Sequence, residues 1–336
     1  MASVDEATTT AAPARGAGLS MGAVGHLLVL AALIAVPVFG EGFFIFQMTK
    51  VLAYAIAIMG LNLLTGINGQ FSLGHGAFIA VGAYTTAILM EHFGVHYAAT
   101  LIPAAIVCFV AGFLFGFPAL RLEGVYLALA TFALAVATPQ LIKLSPFEDW
   151  TGGVQGIVII MPDPPFGLSS DAWLYLFTLI IGGFLYWLAR NLVRSRTGRA
   201  LMAIRDNPIA ARSMGVNTAM YKALAFGISA MITGVSGSLA ALNTAFVAPD
   251  SFTFFLSVLI LVGLVVGGVG WLPGALIGGA FILFVPNIAE EFSKGLAGAF
   301  YGLFLILAIY LAPQGAGGLL RAGMAWAKRR FGGRTT

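Results

Sequence analysis

GRALMAIRDNPIAARSMGV, residues 198–216, gathers three arginines and an aspartate in a chain of 336 residues of which only 9% are charged. Apolar runs flank it, one from about 173 to 189 and one from 222 to 246. Each is close to the ~20 apolar residues that cross a ~30 Å hydrocarbon layer. Working outward, further runs lie at about 24–40, 44–66, 71–90, 98–118, 125–142, 252–269, 271–288 and 298–313. With 60% hydrophobic residues and a mean hydropathy of +0.97, the chain carries far more apolar surface than one soluble core needs. The predicted fold is therefore all-α, a polytopic integral membrane protein of about ten transmembrane helices, eight at the fewest. A helix satisfies its own backbone in lipid, and a barrel would show alternating polarity instead. The stretch 252–288 reads either as two crossings or as one crossing with a re-entrant segment.

The charges orient these spans. Of 17 Lys and Arg residues, seven lie between Arg190 and Lys222 and five between Arg321 and Arg334. The positive-inside rule puts both regions, and both termini, in the cytoplasm. The expected organisation is a disordered tail over 1–22, a transmembrane domain over 23–315 with an inner loop at 190–221 and an outer loop at 144–172, and a basic tail over 316–336. The weakly basic start, with no small-x-small site after Val36 and Pro37, predicts a retained first helix rather than a cleaved signal. The net charge of +4 reports topology and gives no reason to expect nucleic acid.

The chemistry the chain lacks narrows its role. No GxxxxGK[ST] phosphate loop occurs, so ATP hydrolysis is not expected here. Cys108 is the single cysteine, His92 and His96 sit in a short outer loop, and no metal or other cofactor is expected on this chain. Ionisable residues fall near span ends, as at Lys50, Lys143 and Arg190, which weakens a proton-coupled mechanism.

The opening stretch carries helix punctuation. Asn207 reads as an N-cap, Pro208 as the first helical residue and Gly215 as the left-handed stop, giving a helix of about two turns preceded by a short helical piece at 199–204. So short a helix is marginal alone and must be held by its surroundings. A plain lipid-facing basic loop explains Arg190, Arg194 and Arg196, but neither the cap nor the small pair Ala210 and Ala211.

This elbow resembles the cytoplasmic coupling loop of the permeases of branched-chain amino acid ABC importers, in particular the M-type subunit of the Liv system. AARSMG is a degenerate form of the EAA---G signature, with Ile209 where Glu stands. The blocks LNLLTGINGQFSLGHGAFIAVGAY (61–84), LRLEGVYLALATFALA (120–135), WTGGVQGI (150–157), GGVGWLPGALIGGA (267–280) and LAPQGAGGLL (311–320) resemble that family's blocks in the same order. The resemblance implies a multi-pass subunit of the bacterial inner membrane. It implies as partners a homologous LivH-type permease, two ATP-binding subunits of the LivG/LivF type that use the ATP, and a periplasmic or extracellular substrate-binding protein. It makes Gly198, Arg199, Arg205, Asp206, Asn207, Pro208, Ala210, Ala211, Arg212 and Gly215 the ATPase-coupling loop, with Arg205 and Arg212 available to acidic groups on the partner and Gly215 setting the elbow angle.

Two other regions are candidates. Between Gly60 and Gly76 the polar residues Asn62, Asn68, Gln70, Ser72 and His75 alternate with glycines, which predicts either a pathway element of irregular backbone or a tight inner turn with glycines for packing. Gly267, Gly270 and Gly274 repeat the spacing loosely, as paired interrupted helices in transporters do. In the outer loop, Glu148, Asp149, Trp150 and Asp163 are expected to help dock a binding protein. Relatives that import urea, short amides or aromatic carboxylates share these blocks. A self-sufficient secondary transporter, needing no elbow, and an intramembrane enzyme, needing a buried constellation, are the readings from other classes.

Overall fold

The computed structural model describes residues 21–119, 122, 124–160, 164–292, 302–303, 306–307, 310 and 315–319. Helices dominate it, in chain order α1 (Met21–Phe39), α2 (Gly42–Leu61) continued by a π turn (Asn62–Ile67), α3 (His75–Phe93), α4 (Tyr97–Ala119), α5 (Val125–Ile142) and α6 (Ser145–Thr151). After a two-residue strand β1 (Ile157–Val158) come α7 (Ser170–Arg194), α8 (Arg196–Asp206), α9 (Pro208–Ser213) and α10 (Thr218–Thr244). A second short strand β2 (Phe246–Val247), α11 (Phe254–Gly267) and α12 (Gly274–Phe292) follow.

Every apolar run expected to cross the membrane coincides with a helix except 298–313, most of which lies outside the described residues, as do 1–20 and 320–336. Among the described residues, six helices are long and apolar enough to span: α2 with its π turn, α4, α5, α7, α10 and α12. The chain is thus an all-helical polytopic membrane protein. Several boundaries differ from the sequence expectation. The run from 71 begins as helix only at His75, and the run to 189 continues to Arg194 because the amphipathic end of α7 remains helical beyond its apolar part. The stretch 252–288 forms an antiparallel hairpin of unequal arms. At 14 residues α11 is about 21 Å long, less than a hydrocarbon layer, whereas α12 has 19 residues. Lys50 lies well inside α2, its ammonium 4.6 Å from the centre of the Phe46 ring.

The organising element is α10, packed against α2, α3 and α4. Lipid tails are as apolar as leucine, so burying hydrocarbon does not pull helices together in a bilayer; close backbone approach and interhelical hydrogen bonds do. The sequence of α10 supplies both. Gly234 lies against Gly82 of α3 so closely that a side chain on Gly82 would strike the Gly234 backbone. The hydroxyls of Ser229, Ser236 and Ser238 donate to the carbonyls of Gly60 (2.6 Å), Ala53 (2.6 Å) and Gly82 (3.0 Å). At its far end α10 stops at Ala245, whose φ of 55° is the one positive value at a non-glycine among the described residues.

That far end holds the segment after α5. β1 and β2 pair antiparallel, Ile157 with Val247 and Val158 with Phe246, and Lys143 pairs with Asp250 at 2.5 Å. The apolar IVII at 157–160 alternates: Ile157 and Ile159 are buried, while Val158 and Ile160 face outward. This small ribbon, too short to announce itself in the sequence, buries two of these four apolar residues.

Candidate functional site

The elbow is built by successive caps. Ser195 ends α7 and starts α8, its Oγ accepting from the Gly198 amide at 3.3 Å and donating to the Leu192 carbonyl at 2.7 Å. Gly198 is buried against the carbonyls of Leu192 and Val193, where a side chain has no room. Leu201 and Ile204 form the buried face of α8, while Arg199 on the other face donates to the Arg194 carbonyl at 3.2 Å. Asn207 closes α8 and opens α9: its Oδ1 accepts from the amides of Ile209 (3.1 Å) and Ala210 (3.0 Å), with Pro208 at the first helical position. After α9, Gly215 takes a φ of +84° with nothing within 4 Å of where a Cβ would stand, and Asn217 caps α10 through the Met220 amide at 3.1 Å. Ala211 is buried and Ala210 is exposed. On the outward side of α9, Ile209 is 81% and Met214 85% exposed.

Two of the elbow's exposed arginines also bond within the chain. Arg212 donates to Thr218 Oγ1 at 3.3 Å. Arg205 donates through Nη1 to the carbonyl of Gly66 at 3.0 Å, while its Nε (3.0 Å) and Nη2 (2.9 Å) are held by Asp206 Oδ1. Both residues stay exposed while making these bonds, Arg205 with 38% of its side chain accessible.

The polar block lies directly beneath. Asn62, Asn68, Gln70, Ser72 and His75 are all at most 6% exposed. The π turn carries α2 to Ile67, the amides of Asn68 and Gln70 bond back to Leu63 (3.2 Å) and Leu64 (3.1 Å), and the chain then runs without helix to Gly74. Asn68 Nδ2 donates to Gln70 Oε1 at 2.7 Å. Gly69, at φ +77°, lies under the aliphatic stem of Arg205, so both its backbone and its neighbour require glycine. The two glycine-rich blocks meet here. Asn62 donates through Nδ2 to the Trp271 carbonyl (3.1 Å) and accepts at Oδ1 from the Gly270 amide (2.8 Å), and Gly66 abuts Gly270. Gly267 and Gly274 close the turn between α11 and α12 by packing on each other, and 315–319 lies against it through Gly315 at Gly268 and Gly317 at Trp271.

His75 is a clamp between three elements. Its Nε2 is 2.7 Å from Ser229 Oγ and its Nδ1 is 3.0 Å from Ser72 Oγ. Because Ser229 spends its proton on the Gly60 carbonyl, it accepts from Nε2–H, which leaves Nδ1 to accept from Ser72. A neutral imidazole satisfies every partner, and the ring is fixed rather than free to carry protons. Ser229, Ser257, which accepts from the Gly76 amide at 2.9 Å, and Thr131, which accepts from the Leu73 amide at 2.9 Å, complete the framework. None of the three was singled out from the sequence, although hydroxyls recurring within apolar runs were the available signal.

At the far end, Glu148 and Asp149 are exposed on α6. Trp150 stacks on Phe93 with ring centres 5.9 Å apart, and its carbonyl is 3.2 Å from His92 Nε2. Asp163 lies outside the described residues. Among the described residues no group of His, Cys, Asp or Glu could hold a metal ion.

Apolar spans, a seam of buried polar backbone and a capped elbow between two spans define a membrane permease. Residues 43–309 match the family described as the permease component of branched-chain amino acid transport systems, and the chain belongs to that family. It is 33% identical over 292 residues to the high-affinity branched-chain amino acid transport system permease protein LivM of Salmonella typhimurium, covering 80% of this chain and 68% of the relative. The LivM of Escherichia coli K12 is likewise 33% identical, over 293 residues, with the same shares covered. The autoinducer 2 import system permease protein LsrC of Klebsiella pneumoniae is 31% identical over 154 residues, 43% of each chain. No solved structure matches it.

Proposed function

We propose that the chain is one of two membrane subunits of an ABC importer for branched-chain amino acids in a bacterial inner membrane. In this reading the elbow side is cytoplasmic and α6 with the β ribbon faces outward. The partners are a homologous permease, two cytoplasmic ATPases and a soluble substrate-binding protein. The substrate reading rests on the greater identity and coverage of the branched-chain relatives relative to the autoinducer 2 relative. This chain supplies no covalent step; ATP is used by the partner subunits, and the chain contributes half of a pathway whose access alternates when the elbow is displaced.

The observation that carries the reading is α9. A six-residue helix does not persist alone, yet this one is capped by Asn207, anchored through buried Ala211 and left with Ile209 and Met214 standing in the open. Large apolar side chains on a rigid, polar-rimmed projection suit a protein groove. The test is affinity purification of the tagged chain from its native membrane. Wild type is expected to bring ATP-binding subunits with it, and an Ile209→Asp, Met214→Asp variant to lose them while keeping its own yield. A wild-type chain that purifies alone overturns the importer reading in favour of a self-sufficient transporter.

A further inference from the structure

We propose that Arg205 is the joint through which the elbow moves the membrane seam, so that α8, the π turn of α2 and the 268–273 turn travel as one body. The inference rests on the importer reading above and goes beyond it by naming the internal link.

Three observations carry it. First, the Arg205 guanidinium, although its side chain is 38% exposed, has a partner at each of its three nitrogens. Asp206 Oδ1 takes Nε and Nη2, which fixes the fork, and Nη1 is aimed at the Gly66 carbonyl. That carbonyl sits at the end of a helix, where the amides that follow are spent on Leu63 and Leu64, and the negative end of the helix dipole favours a cation. Second, the seam beyond Gly66 is rigid. Asn62 makes two hydrogen bonds to the backbone at Gly270 and Trp271, Gly66 touches Gly270, and the Arg205 stem is seated on Gly69. The buried side chains of α8, Leu201 and Ile204, make apolar contacts, which have no direction and slide under load. A charge-assisted bond to a fixed carbonyl transmits both push and pull. Third, the element it grips is a π turn. A π turn holds one extra residue in a helix, and returning it to α geometry shifts everything that follows it. Transmission between sites requires a two-state element.

The experiment uses the complete importer in liposomes, with leucine-loaded binding protein outside and ATP inside. Leucine uptake and ATP hydrolysis are measured in the same vesicles. Arg205→Gln is expected to lower leucine carried per ATP about tenfold, and Arg205→Lys, which keeps the charge without the fork, about threefold. Asn62→Leu, at the opposite end of the seam, is expected to match Arg205→Gln, and the double variant to add little further. If uptake and hydrolysis fall together, or the ratio is unchanged, Arg205 is not the joint. A second readout does not depend on turnover. Spin labels at Ala203 and Val269, both exposed, are expected to keep a constant separation through the nucleotide cycle in wild type and to part in Arg205→Gln. Separation that changes equally in both also overturns the proposal. Wild-type vesicles without ATP-driven uptake remove the importer reading, and the joint with it.

Discussion

α4 and α10 lie against each other, yet they are built on opposite plans. α4 is the most apolar of the candidate spans, and only 28% of its most apolar 18-residue window is buried; for α10 the figure is 78%. In water that order would be inverted. In a bilayer the aliphatic residues of α4, among them Ile102, Ile106, Val110 and Leu114, can face lipid at no cost, whereas glycine, alanine and serine in α10 gain by touching other backbones. Between these two helices burial therefore runs against hydropathy, and substitutions along them should separate accordingly.

The largest effect is expected where backbone meets backbone. A Cβ at Gly82 would fall on the Gly234 backbone, which cannot yield without parting α3 from α10. Gly82→Val should cost about 3 kcal/mol or more and abolish the monodisperse folded fraction in detergent. A variant that purifies normally with an unchanged thermal midpoint would show that α10 is not the tightly fitted centre.

An intermediate effect is expected at the hydroxyl framework. Ser229→Ala leaves the Nε2–H of buried His75 without an acceptor, a loss of about 1–3 kcal/mol. His75→Phe should cost a similar amount. Combined with Ser229→Ala it removes both polar partners at once, so the pair should lose clearly less than the sum of the single losses. Additive losses in thermal unfolding would mean that the two side chains do not hold each other.

The two plans also explain what could be read in advance. Spans and elbow are local properties: apolar length marks α2, α4, α5, α7, α10 and α12, and Asn207–Pro208 with Gly215 announces α9 within a few residues of chain. The centre of the bundle is not local, because glycines at 82 and 234 acquire meaning only when their helices meet. The same holds for Arg205. Its charge suggests an outward contact, and only the fold reveals a bare carbonyl at Gly66 within its reach. The block 60–76 was legible as irregular and polar, while the π turn at Asn62–Ile67 has no sequence signature of its own. His75 is legible as one polar residue of that block, but its partner Ser229 lies 154 positions away in a helix that reads as plain apolar span.

The smallest effect belongs to the lipid face of α4, and it gives the comparison its sharpest form because both faces are carried by one helix. Ile106 is 57% exposed, while Ala104, two positions earlier, is fully buried beside α10. Ile106→Ala removes three carbons that touch few protein atoms and leaves no cavity, so in the isolated chain the thermal unfolding midpoint should correspond to a change within about 0.5 kcal/mol. Ala104→Leu adds the same number of carbons to a site with no space and should cost about 1–3 kcal/mol. If hydropathy governed stability, the first change would hurt and the second would help. The opposite order is what packing without a hydrophobic drive requires, and equal effects at the two positions would break the distinction between the helices.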